Sequence, residues 1–109
     1  MQKHLISQIK GWFKAKGYVY MFIDNGWIGR PWDNFYTLTD IHYDSDANLL
    51  TLALGENWFL YFSGGSSGSP TISDNELVFN GFDNVILEIK DYRTTNYGSV
   101  EVKFFIEDE

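Results

Sequence analysis

The sequence predicts an α+β domain, with an N-terminal amphipathic helix packed on one face of a largely antiparallel sheet of about six or seven strands. Three observations carry that prediction. Apolar residues recur at helical spacing over residues 2–15. The remainder, residues 18–106, is a succession of short β-branched and aromatic runs separated by Gly, Asn and Asp. The chain has 109 residues, the length of one ordinary domain, so residues 1–109 are read as a single unit. Several runs are apolar on both faces, which allows a strongly curled or barrel-like sheet.

In the opening segment Leu5, Ile6, Ile9, Trp12 and Phe13 share one side of a helix, while Lys3, Gln8, Lys10 and Lys14 lie largely elsewhere. Gly17 is a natural stop after basic residues that suit a helix C-terminus. The Trp and Phe are expected to pack on the protein's own sheet. Tyr18–Ile23 follows, aromatic or aliphatic at every position, and reads as a central or covered strand. Asp24-Asn25-Gly26 offers a tight turn. Gly29 and Pro31 then make residues 26–34 a loop.

Phe35–Tyr43 resumes a strand, but Leu38 and Ile41 fall on opposite faces, a mismatch that a bulge can produce. Asp44–Asn48 is a turn, Leu49–Leu54 a strand, Gly55–Asn57 a second turn and Trp58–Phe62 a further strand, together an antiparallel meander. Gly64–Pro70 (G-G-S-S-G-S-P) reads as a flexible Gly/Ser loop. Glu76–Asn80 is a short strand and Val85–Ile89 a cleaner one, followed by a turn at Arg93–Gly98. Val100, Val102, Phe104 and Ile106 then alternate with polar or outward residues, the clearest strand with one buried face. Asp-Asn recurs at 24–25, 33–34, 74–75 and 83–84, each at an expected turn, and turn chemistry accounts for it without duplication.

Charge divides the chain. Residues 1–17 hold Lys3, Lys10, Lys14 and Lys16 and no acid, whereas the remainder holds all 15 acids against Arg30, Lys90, Arg93 and Lys103. The net charge of −7 repels phosphate backbones, so nucleic acid is not an expected partner, and a basic protein is. No apolar run approaches the roughly 20 residues that span a bilayer, and no secretory signal is present, so a soluble cytoplasmic protein without a membrane role is expected. Cys is absent, which removes disulfides, thiolate nucleophiles and thiolate metal sites.

Motifs for chemistry are sparse. Asp44-Ser45-Asp46-Ala47-Asn48 opens like a calcium loop, but Leu49 stands where Gly is needed and Gly55 where a bidentate Glu is needed, so a hairpin turn is the reading. No phosphate cradle or nucleophile elbow is present, and no cofactor or metal is called for. Of the two histidines, His4 and His42, the second lies two residues from Asp40, which places the pair on one strand face as a candidate for hydrolase-type acid–base work. The aromatics, 18% of the chain, carry more weight. Trp12, Tyr20, Trp58, Phe59 and Phe104 sit in periodic segments and read as packing. Trp27, Arg30, Trp32 and Tyr36 sit in the irregular segment, where loop aromatics and a guanidinium suit partner or sugar contacts, and they are the binding residues the sequence favours.

The function expected from these readings is a non-catalytic protein-interaction module with an acidic surface that holds a basic partner. Small acidic immunity or inhibitor proteins share this size and charge, an analogy of profile alone. A carbohydrate-type module using the loop aromatics is the alternative, and a hydrolase using His42 and Asp40 stands third. The sequence assigns no oligomeric state.

Overall fold

Helix α1 spans Lys3–Lys16 and has Lys14 and Lys16 in its last turn, where the partial negative charge of the helix end favours cations. It stops at Gly17, which takes φ +77° and donates its backbone N–H to the Phe13 carbonyl at 2.9 Å. The structure, a computed structural model, describes residues 3–23, 37–64 and 69–106.

The described residues form nine strands after the helix: β1 Tyr20–Ile23, β2 Leu38–Asp44, β3 Leu49–Leu54, β4 Trp58–Ser63, β5 Ser69–Ile72, β6 Glu76–Asn80, β7 Asn84–Ile89, β8 Arg93–Gly98 and β9 Val102–Phe105. They divide into two sheets. One has the order β1-β9-β6-β5 and the other β2-β3-β4-β7-β8, with antiparallel neighbours throughout. The expected single sheet of six or seven strands is therefore corrected to two sheets that are not strongly curled. The reason is that period-2 burial looks the same whichever layer a strand belongs to.

The two inner faces meet in one core. Leu50, Leu52, Leu60, Phe62, Val85 and Leu87 come from the five-stranded sheet, and Met21, Ile23, Leu77, Phe79, Val102 and Phe104 from the four-stranded one. Phe62 stacks on Phe79 with ring centroids 4.6 Å apart, so the layers interdigitate through aromatic contact. The helix adds Ile9, Trp12 and Phe13 to the same core, with Phe13 edge-on to Phe104 at 5.1 Å. Trp12 also donates its indole Nε1–H to the Ser73 carbonyl at 2.7 Å, which ties α1 to the segment between β5 and β6.

Among the described residues β1 pairs with β9, and Phe22 is 45% exposed. Two local readings need correction. Arg93–Gly98 is strand β8 and not a turn. The turn comes earlier, at Lys90–Tyr92, where Asp91 takes φ +63°. Polar Thr94, Thr95 and Asn96 suit the outer edge of a sheet, which the eye reads as loop. Strand β5 opens at Ser69, inside the last residues of the Gly/Ser segment, and pairs with β6.

The untidy parity of β2 has a structural cause. Leu38 faces Leu54 and Asp40 faces Ala53, so the register shifts between Leu38 and Asp40. Thr39 takes up the extra residue, its hydroxyl 3.1 Å from the Ala53 carbonyl and 2.9 Å from that of Gly55. Leu38 and Ile41 thereby reach the same inward side.

Candidate functional site

The outward face of the five-stranded sheet combines apolar area with unbalanced charge. Strand alternation, with the inner residues fixed by the core, turns Asp40, His42 and Asp44 of β2 outward. Across the sheet the same face receives Thr51 and Ala53, then Phe59 and Tyr61, then Ile86 and Glu88, and finally Thr94 and Asn96. Phe59, Tyr61 and Ile86 are half-buried by their neighbours, and the β2 and β8 positions at the margins are exposed. The strand positions of this face carry Asp40, Asp44 and Glu88 and no Lys or Arg. Carboxylates on β2 and β7 therefore flank an aromatic–aliphatic centre, and the β8 margin carries Thr94 and Asn96.

Tyr61 and Glu88 lie diagonally on adjacent strands, and the Tyr61 hydroxyl donates to Glu88 Oε1 at 2.6 Å. That hydrogen bond, followed by desolvation and the negative charge of Glu88, pushes the Tyr61 phenol from 10.0 up to about 12. Phe59 sits directly opposite Ala53 on one neighbouring strand and Glu88 on the other. The face is preorganised on sheet strands.

Asp40 and His42 do share this face, opposite Ala53 and Thr51. Both are exposed, and the Asp40 carboxylate accepts the N–H of Ile41 at 2.9 Å. Asp44 is occupied in turn chemistry: its Oδ1 accepts the N–H groups of Asp46 at 3.0 Å and Ala47 at 3.3 Å, and Asn48 closes the hairpin with φ +51°. Among the described residues no group of three or more His, Asp or Glu converges to hold a metal ion. No described helix is long and apolar enough to cross a membrane.

Trp27, Arg30, Trp32 and Tyr36 lie outside the described residues. Of the aromatics read as packing, Trp12 and Phe104 are buried, Trp58 is partly buried against the core, and Tyr20 and Phe59 face outward. Sequence reasoning missed Phe59 and Tyr61 as surface residues because W-F-L-Y-F is bulky at every position. The available signal was Glu88, which must point away from a face made by Val85 and Leu87.

A separate cleft of about 480 Å³ opens between α1 and β2, lined among the described residues by Lys10, Phe13, Lys14, Leu38 and Asp40. Its two ammonium groups against one carboxylate give it the opposite electrostatic character to the sheet face. Comparison with protein-family models, curated proteins and solved structures returned no match for this chain.

Proposed function

We propose that this chain is a non-catalytic protein-interaction module whose outward five-stranded sheet face holds a basic protein partner. The observation that carries the reading is the joint placement of Phe59, Tyr61 and Ile86 among Asp40, Asp44 and Glu88, with no cation on the strand positions of that face. Half-buried aromatics give contact area at low entropy cost, and a rim of one charge sign steers a partner of the other. The overall charge of −7 adds long-range attraction for the same class of partner. Size and acidity fit the profile of an immunity or inhibitor protein that neutralises a basic target.

The test is capture from a host lysate by the wild-type chain, by Phe59→Ser and by Asp40→Asn/Glu88→Gln. The reading requires a basic protein that the wild type retains and both variants lose, with affinity falling as salt rises. A glycan panel followed by tryptophan fluorescence addresses the carbohydrate alternative, and this reading expects no response from it.

A further inference from the structure

The outward face of the five-stranded sheet is built of cross-strand rows. One row runs Asp40–Ala53–Phe59–Glu88–Thr94 through all five strands, and the next runs His42–Thr51–Tyr61–Ile86–Asn96. Directly opposite residues on antiparallel strands hold their Cβ atoms roughly 5 Å apart, so Phe59 and Glu88 are immediate neighbours. Ala53, opposite Phe59 on the other side, is the smallest side chain of either row.

Glu88 is only half used. Its Oε1 accepts the Tyr61 hydroxyl at 2.6 Å, while Oε2 accepts no hydrogen bond among the described residues. Among those residues neither Glu88 nor Asp40 has an ion-pair partner, and Lys90, two positions beyond Glu88, does not pair with it. The rings of Phe59 and Tyr61 likewise meet no other ring and no cation there. A half-buried carboxylate with an oxygen to spare thus stands beside aromatic surface that nothing in the fold stacks on.

That combination suits one side chain above others. A lysine ammonium is a compact, strongly hydrated point charge. A guanidinium is planar and weakly hydrated, so it can stack on a ring while its edge donates to a carboxylate.

We infer that Phe59, Tyr61 and Glu88 form an arginine-binding site, where the guanidinium of a partner arginine lies against the rings and donates to Glu88. Tyr61 is also a positioning residue, since its hydroxyl holds the carboxylate through Oε1 and leaves Oε2 to the arginine. Its phenol, raised to about 12, stays a donor throughout the neutral range. Asp40 lies three strands from Glu88 in the same row, so it adds attraction for a cation without sharing this contact. The inference rests on the reading of this face as the surface that holds a basic protein, and it names the side chain recognised there.

The test is an NMR titration of the isotope-labelled full chain with acetylated hexa-arginine and hexa-lysine peptides, up to about 1 mM in about 50 mM salt. The wild type should bind the arginine peptide at least roughly tenfold more tightly, with the largest amide shifts at Phe59, Tyr61 and Glu88. Glu88→Gln and Phe59→Leu should bring the two affinities together. Tyr61→Phe, which keeps the ring and frees the carboxylate, should shrink the preference. Asp40→Asn should weaken both peptides alike and leave their ratio unchanged. Equal binding of the two peptides on this face overturns the arginine site and leaves the basic-partner reading standing. Absence of shifts on this face with either peptide overturns both. An arginine preference that survives Glu88→Gln and Phe59→Leu also overturns the site. If a variant misfolds, the wild-type affinity ratio and shift map still decide the question.

Discussion

The Tyr61 hydroxyl donates a 2.6 Å hydrogen bond to Glu88 Oε1 across two adjacent strands, on the side of the sheet that faces away from the core. Its consequence should be readable by titration. The folded phenol is raised from 10.0 to about 12, first by that bond, then by desolvation and the Glu88 charge. A group raised on folding contributes stability that is complete below its unfolded value and fades as pH climbs through the folded one, so the contribution is lost between about pH 10 and 12. In an absorbance titration near the phenolate band, the difference between wild type and Tyr61→Phe should show one tyrosine ionising near pH 12. Glu88→Gln should move that step back toward 10.

Core and surface aromatics should separate by stability. Phe104 is fully buried between Phe13 and Phe79, and Phe104→Ala should cost about 3–5 kcal/mol in urea unfolding, a large share of the stability of a small domain. Phe59→Ser, on the outward face, should cost less than about 1 kcal/mol while abolishing partner capture.

The indole of Trp12 holds α1 to the Ser73 carbonyl at 2.7 Å. Trp12→Phe keeps an aromatic ring but removes the donor, and should destabilise by about 1–3 kcal/mol. Amide exchange should rise first in α1, because that bond joins the helix to the β5–β6 segment.

The difference between the readings from sequence and structure has physical causes. Helix α1, the meander and β7 were readable because each writes its burial directly into residue spacing, as Leu50, Leu52 and Leu54 do. The division into two sheets was not, because Phe62 and Phe79 obey the same alternation although they face each other from different layers. Strand β8 hid behind Thr94, Thr95 and Asn96, whose polarity reflects an edge position. On the candidate face, Asp40 and His42 were correctly placed on one side of β2, while Phe59 and Tyr61 were masked by equally bulky neighbours. The Trp27–Tyr36 stretch that the sequence favours lies outside the described residues.

Gly64 gives a backbone test. It takes φ +73°, and a Cβ there would run into the Asp83 side chain. Gly64→Ala should therefore destabilise by about 1–3 kcal/mol. Gly11 is exposed within α1 with open space around it, so Gly11→Ala should stabilise by roughly 0.5–1 kcal/mol. Paired urea titrations of the two variants check both signs.

The central claim is that the outward face of the five-stranded sheet binds a basic protein, and quantitative capture from host lysate at about 50 mM and about 500 mM salt tests it most directly. The prediction is a basic protein held by the wild type at low salt, released at high salt, and lost from Phe59→Ser and Asp40→Asn/Glu88→Gln, whose unfolding curves stay close to wild type. Capture of the same protein by the wild type and both face variants, unaffected by salt, would contradict it.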